Sequence, residues 1–385
     1  MQRGEKWLWV GALIILIASI ISFGLPYLFE DEYRFEIAEA QSGEPEKPKV
    51  IHLDTPEPLK ALYMTACVAS MDKWRDDLKK TIEETELNAV VIDIKDYTGA
   101  VSFKNEVSLP NPKGCLVSDL KEFIEELHAS GIYVIGRISV FQDPNYAEKY
   151  PEQAVRSKKS GGVWRDHKGL AFVDVGAKPY WDYIVSLSQV SHELGFDELN
   201  YDYVRYPSDG VMTDADFSWT VSTSTKSEML ESFFRYLKEK TSSLGAVTSV
   251  DIFGMTTSTT HDLGIGQVLE KALPYFDYVA PMVYPSHYPK GWNGFESPAK
   301  VPYEVIYKAM GDGREREIAF NISQGLATST PTKLRTWIQD FSLGGDYGPE
   351  EVRAQIRASN EVGVPSWMLW SAANKYTTEA LEKEF

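Results

Sequence analysis

The chain has 385 residues, of which 43% are hydrophobic and 12% aromatic, and this composition excludes disorder of the whole chain. Its formal net charge of −17 repels phosphate backbones, and no cluster of Lys and Arg opposes it, so a nucleic-acid partner is not expected. The two cysteines and six histidines show no zinc-binding spacing, and we predict neither a metal site nor a cofactor.

The N-terminus contains an uncharged apolar run of 23 residues, at positions 7–29. A helix of about 20 residues spans a bilayer. Basic residues precede the run and acidic residues 30–32 follow it, which places the N-terminus in the cytoplasm and the body outside. We therefore predict a membrane anchor at residues 1–30 in a single-pass protein of the cell membrane. The alternative is a cleaved signal peptide, with an A-x-A site at 38–40, and a secreted body.

Residues 31–59 follow as a segment rich in proline and mixed charges, for which we predict a semi-extended linker. The body then occupies residues 60–385. Outside the cytoplasm a disulfide between Cys67 and Cys115 becomes possible, and two free thiols are the alternative.

The body alternates β-rich apolar runs with amphipathic helical stretches. Leu120, Phe123 and Leu127, for example, share one face of a helix that Gly131 ends. Strands are predicted at 61–66, 89–95, 132–140, 198–204, 247–253, 277–284, 318–323 and 367–371. Eight strands with helical connections indicate a (β/α)8 TIM barrel. A doubly wound sheet is the alternative, but no Gly-rich phosphate motif follows the first strand.

Acidic residues lie at the predicted strand ends, where barrels of this class hold their active sites. Side chains alternate along a strand, so Asp202 shares the inward face of strand four with Asn200, and Asp251 takes the matching place on strand five. Carboxylates on neighbouring strands can approach the ~5 Å separation of retaining glycosidases, and repulsion then separates their pKa values. The alternative is that one of them forms a salt bridge with Arg137 or Arg205.

Further substrate-binding residues are predicted around the same rim. In strand two, Asp93 and Lys95 point into the barrel, either as substrate contacts or as an ion pair that fills the interior. The others follow strands three, four, six and eight: Arg137, Arg205, Tyr284, His287 and Trp370. The Trp370 indole either stacks on a sugar ring or belongs to the core.

Several of these segments resemble one bacterial family, described as a "putative glycosyl hydrolase domain" and first catalogued as a domain of unknown function. They are DELNYDYVRYPSDG, YVIGRISVFQDP, VDIFG, APMVYPSHY and TWIQDF, and the resemblance runs from about residue 60 to 376. It implies a TIM barrel related to α-galactosidase-like glycosidases, with the nucleophile at Asp202 and the acid/base at Asp251. Asn200 and Tyr206 replace the Gln and Phe typical of the family, which leaves both carboxylates intact.

These observations favour a retaining glycoside hydrolase that acts on an extracellular or cell-envelope polysaccharide. Asp202 would attack the anomeric carbon, and Asp251 would protonate the leaving oxygen and then activate water. Two alternatives stay open. One is a carbohydrate-binding barrel of the envelope without catalysis, and the other is a structural envelope protein whose acids are ion-paired.

Overall fold

A computed structural model describes residues 50–110, 114–220 and 223–383 of the chain. The anchor predicted at residues 1–30 and most of the linker predicted at 31–59 lie outside these residues. Within the described ranges, no helix combines the length and the apolar character that crossing a bilayer requires.

Parallel strands in the described part of the chain close into an eight-stranded barrel, in which each strand pairs with its neighbours in chain order. The last strand pairs back with the first. We label them β1 to β8, with the bounds Lys60–Met64, Ala89–Lys95, Tyr133–Ser139, Glu198–Asp202, Val247–Phe253, Tyr278–Met282, Thr336–Gln339 and Trp367–Trp370. The predicted barrel is confirmed.

Helices connect successive strands and pack around the outside of the barrel. We label them α1 to α9, with the bounds Ala66–Ala69, Asp72–Glu83, Leu120–Ala129, Pro144–Lys149, Lys178–Leu194, Lys226–Thr241, Leu269–Ala272, Pro302–Ser323 and Pro349–Glu361. Local sequence defines several of their ends. At the start of α6 the Thr225 hydroxyl accepts from the backbone N–H of Glu228, and the Glu228 carboxylate accepts from the backbone N–H of Thr225.

Buried side chains divide into two layers because the strands are covered on both faces. The outer layer, between strands and helices, includes Ile92 and Ile94 of β2. The inner layer fills the barrel and includes Tyr133 of β3 and Trp337 of β7. Polar strand residues that point inward therefore lie in a closed interior, where each needs a partner.

The seventh predicted strand, at residues 318–323, is wrong. These residues form the last turn and a half of α8, whose buried positions recur at helical spacing, among them Val305, Ala309 and Glu317. A short apolar run does not by itself distinguish a strand from a helix, and here the 22-residue helix that contains it decides the conformation. The strand that completes the barrel is β7, which is only 4 residues long.

The amino ends of the barrel strands are covered by residues 50–59, the end of the predicted linker. The backbone N–H of Leu53 donates to Asp197 at 2.7 Å, and that of Leu59 donates to Ser366 Oγ at 3.0 Å. The Thr55 hydroxyl lies 3.0 Å from that of Tyr133. These ten residues therefore pack against the barrel.

Cys67 and Cys115 form a disulfide, with their Cα atoms 4.9 Å apart. Of the two alternatives that the sequence leaves open, the structure has the bridge. It joins α1 to the long connection between β2 and α3, close to the carboxyl ends of the strands.

Candidate active site

The alternation of side chains along β4 and β5 directs both predicted catalytic aspartates into the barrel. Tyr201 of β4 and Val250 of β5 are register partners and lie in the outer layer, where the Tyr201 hydroxyl is 2.9 Å from Ser188 of α5. Asp202 and Asp251, one residue further along each strand, face the interior instead. The inward direction that side-chain alternation predicted for Asp202 and Asp251 is confirmed.

One guanidinium, that of Arg137 on β3, joins the acidic residues of the interior. It donates to Asp93 at 2.7 Å and also to Asp202, and its Nε lies 4.0 Å from Oδ2 of Asp251. Asp251 in turn accepts from Asn200 at 2.9 Å and from the Trp337 indole at 2.8 Å. The salt bridge to Arg137 that was considered for the aspartates is thus present, and it links three carboxylates to one cation.

The charges of this cluster do not balance if all three acids are ionised. Burial and the charge of Asp202 raise the pKa of Asp251 to about 8, although Arg137 opposes the shift. Burial also raises the pKa of Asp93. Burial disfavours the charge of Arg137, but the Asp202 and Asp93 carboxylates hold its pKa well above the usual value. At neutral pH the cluster therefore carries a proton on Asp251.

This pKa predicts a pH dependence of folding. An unfolded Asp ionises near pH 4, so between about pH 4 and 8 the folded state holds a proton that the unfolded state has lost. The stabilisation is complete below pH 4 and is lost as the pH rises to 8. Between pH 5 and 8.5 the free energy of unfolding should decrease in both the wild type and Asp251→Asn. We expect the decrease in the variant to be smaller than that in the wild type by at least about 1.4 kcal/mol. Urea denaturation at several pH values measures the free energy of unfolding. If the plots of this free energy against pH were parallel for the two proteins, they would contradict the raised pKa of Asp251. The control is Asp54→Asn, the same change at an exposed residue.

A cavity of about 540 Å³ opens above the cluster, at the carboxyl ends of the strands. Most of its lining is apolar or aromatic, as is common for ligand sites. Six residues predicted from the sequence line it: Arg137, Asp202, Arg205, Tyr284, His287 and Trp370. The Trp370 ring is stacked on Tyr63, with the centroids 4.1 Å apart, and the Arg137 guanidinium lies 5.2 Å from its centroid. The structure thus brings these six side chains to one site.

Two residues of β2 do not reach the cavity, contrary to the prediction. Asp93 lies beneath Arg137 and accepts from the Tyr63 hydroxyl at 2.5 Å. Lys95 is fully buried on the outer side of the strand, where it donates to Asp143 at 2.6 Å and to Tyr180 at 2.9 Å. The cause is a bulge: the pairing with β3 shifts by one residue between Asp93 and Lys95, and this shift reverses the direction of the lysine.

Asp251 also does not line the cavity, and its side chain is 1% exposed. Asp202 is the carboxylate that the described residues present to the cavity. Of the two predicted catalytic aspartates, Asp202 therefore lies at the cavity wall, and the protonated Asp251 lies directly behind it.

The sequence analysis missed several aromatic residues of the lining, among them Phe253 and Tyr288. Tyr203 is the most informative, because strict alternation places it on the outer face with Tyr201. Instead its φ is 52°, in the left-handed region, and the chain turns its ring into the cavity while its N–H donates to Asp202 at 2.5 Å. Strained backbone of this kind is concentrated at functional sites. The predicted strand at 198–204 included Tyr203, so nothing in the sequence distinguished it from the other residues of that strand.

No group of three or more His, Cys, Asp or Glu side chains in the described part of the chain is arranged to hold a metal ion.

An aspartate at the carboxyl end of β4, a second acid with a raised pKa on β5 and an aromatic cavity above them form a site at the strand ends, where barrels of this kind hold their active sites. Over residues 61–376 the chain matches the family described as "Putative glycosyl hydrolase domain" and belongs to that family. The resemblance noted in the sequence is confirmed. No curated protein matches the sequence.

Two glycosidase structures share the fold. The PgaB (BpsB) glycoside hydrolase domain of Bordetella bronchiseptica has a TM-score of 0.60 at 14% identity, over 85% of this chain and 99% of that one. The GH36 α-galactosidase AgaB of Geobacillus stearothermophilus has a TM-score of 0.50 at 10% identity, over 86% and 42% of the two chains. A hypothetical protein of Ruminiclostridium thermocellum is 31% identical over 49% of this chain and 96% of its own, with a TM-score of 0.44.

Proposed function

We propose that the protein is a retaining glycoside hydrolase that cleaves an extracellular or cell-envelope polysaccharide, with Asp202 as the nucleophile. The observation that carries the proposal is the placement of Asp202 at the cavity wall, bound to Arg137 and backed by a second carboxyl group. Arg137 donates a hydrogen bond to Asp202 and holds its carboxyl group at the cavity wall, where it can reach an anomeric carbon.

In this proposal Asp251 supports Asp202 and does not itself protonate the leaving oxygen, because its side chain is 1% exposed and does not line the cavity. A general acid must lie within hydrogen-bond reach of the glycosidic oxygen, and the two carboxyl groups of a retaining enzyme flank the bond that breaks. Tyr284 and His287 hold sugar hydroxyls from the opposite side of the cavity, while the exposed part of the Trp370 ring supports the sugar by stacking.

The burial of Asp251 favours one other function specifically. With a single carboxylate at the cavity wall among the described residues, the site also suits a barrel that binds carbohydrate without cleaving it. Binding of oligosaccharides by the wild type without release of reducing ends identifies this second function.

We also propose that the N-terminal segment anchors the protein in the cell membrane with the barrel outside the cytoplasm, or directs its secretion. The Cys67–Cys115 disulfide supports an extracytoplasmic location, because such bonds persist in oxidising compartments and are rare in the cytosol. Fractionation of cells that produce the tagged full chain, with protease added from outside, tests the location.

Incubation of the purified full chain with a panel of bacterial and plant polysaccharides tests the enzymatic proposal. We expect reducing ends to appear with one or more of them. The first-formed product, observed by NMR within minutes, should keep the anomeric configuration of the substrate. A product of inverted configuration would contradict the assignment of Asp202 as nucleophile.

A further inference from the structure

Arg205 is a cation of the cavity wall that no acidic residue neutralises. No carboxylate oxygen in the described part of the chain lies within 4.0 Å of its guanidinium, whereas Arg137 beside it binds two aspartates. Of the acids whose charges reach it, Asp202 belongs to the cavity, and Asp166 and Asp209 lie on the surrounding loops. In a chain with a net charge of −17, a half-buried arginine without an ion pair is an exception that needs an explanation.

The guanidinium is held in place by contacts that leave one edge free. Its Nη1 donates to the backbone oxygen of Tyr206 at 3.1 Å and to the Ser208 hydroxyl at 3.3 Å. Its Nε and Nη2 make no hydrogen bond to any described residue, and neither is among the buried unpaired atoms of the structure. These two N–H groups form one edge of the planar fork, and that edge remains available to a ligand.

Aromatic rings surround the same guanidinium. Its Cζ lies 5.0 Å from the ring centroid of Phe253, 5.1 Å from that of Tyr203 and 5.7 Å from that of Phe172. Ring contacts of this kind stabilise the cation and restrict its rotation, but they offer no hydrogen-bond acceptor along the free edge. The side chain is thus rigid and positively charged, and it is incompletely hydrogen-bonded toward the cavity.

We propose that the cavity takes a sugar that carries a carboxylate, such as a uronic acid, and that the Nε/Nη2 edge of Arg205 binds this carboxylate. The inference rests on the proposed carbohydrate function and names its substrate class. A carboxylate matches the two parallel N–H groups of a guanidinium edge in a bidentate contact, and such charged pairs are stronger than hydrogen bonds to a hydroxyl. Asp202 occupies another part of the wall and stays free for the anomeric carbon.

The test compares acidic oligosaccharides with neutral forms of the same sugars. Oligomers of galacturonate, of alginate and of hyaluronan are each paired with their carboxyl-reduced derivative, which keeps the stereochemistry and linkages but removes the charge. Calorimetry measures binding to the full chain and to Arg205→Gln. We expect at least one acidic oligomer to bind the wild type more tightly than its reduced form. Arg205→Gln should weaken that binding by about 10- to 100-fold and should weaken binding of the reduced form by a much smaller factor, because a hydroxyl gives up only a neutral hydrogen bond.

Controls separate recognition from structure. Arg235→Gln makes the same chemical change on the exposed side of α6 and should alter neither affinity. Arg205→Lys keeps the charge but not the planar fork, and should recover only part of the affinity. Equal thermal unfolding of wild type and Arg205→Gln shows that the fold is intact.

The outcomes distinguish the substrate class from the enzymatic activity. Selective binding of a uronate oligomer without its cleavage supports this inference and removes the proposed hydrolysis. Cleavage of a neutral glycan that Arg205→Gln performs as well as the wild type supports hydrolysis and overturns the acidic-sugar inference. Failure to bind any acidic oligomer, or stronger binding of sulfated galactans that lack uronate, also overturns it.

Discussion

Replacement of Asp202 by asparagine is expected to lower kcat by more than about 10³-fold on whichever glycan the wild type cleaves. Asparagine keeps the size of the side chain and still accepts a hydrogen bond from Arg137, but its amide does not form the covalent glycosyl intermediate. Because substrate contacts elsewhere in the cavity remain, KM should change much less than kcat. Reducing-end release under saturating substrate measures the loss.

The control for this prediction is Asp77→Asn, the same change at a carboxylate of α2 whose side chain is 63% exposed. It should leave kcat unaltered. Retention of more than a tenth of the wild-type activity in Asp202→Asn would remove Asp202 from the role of nucleophile. Loss of activity in Asp202→Asn with unchanged oligosaccharide affinity would show that Asp202 acts in the chemical step and not in binding.

Replacement of Arg137 by methionine is expected to destabilise the fold by about 3–5 kcal/mol, the usual cost of leaving buried charges uncompensated. Within the described residues, Arg137 is the only cationic group within 4.0 Å of Asp93, Asp202 and Asp251. Without it, the buried acids lose the one cation that favours their ionised forms, and mild acidification relieves the repulsion among them by adding protons. The loss of stability should therefore be larger at pH 8 than at pH 5.

Urea denaturation of the full chain at the two pH values measures this effect. Arg235→Met, at the surface of α6, serves as the control and should change the stability by less than about 0.5 kcal/mol. A change below about 1 kcal/mol in Arg137→Met at pH 8 would show that water or backbone groups already neutralise the acids, and that the cluster is not held by the guanidinium.

Local regularities explain what could be predicted. The alternation of side chains along a strand depends only on the extended backbone, so the inward direction of Asp202 and Asp251 followed from their spacing. The carboxyl ends of parallel barrel strands meet on one face, which brought Arg205, Tyr284 and Trp370 to one cavity. The alternation in β3–β5 and the order of the segments sufficed to predict a parallel barrel.

The failures have equally physical causes. The bulge in β2 inserts one residue into the pairing and turns Lys95 outward, and alternation cannot anticipate it. The left-handed backbone of Tyr203 brings a ring inward that an extended strand would send outward. The run at 318–323 has the composition of a strand but continues the long helix α8.

The sequence by itself determined the alternation of strands and helices, the face on which each strand acid lies and the family to which the chain belongs. These properties depend on neighbours in the chain, or on motifs that are read directly. Only the tertiary structure decided which partners the acids have. The closed barrel brings Trp337 to Asp251, 86 residues away in the chain, and places Arg137 among three carboxylates. It also leaves Arg205 without an acid, because pairing requires proximity in space, and that proximity arises only when the barrel closes.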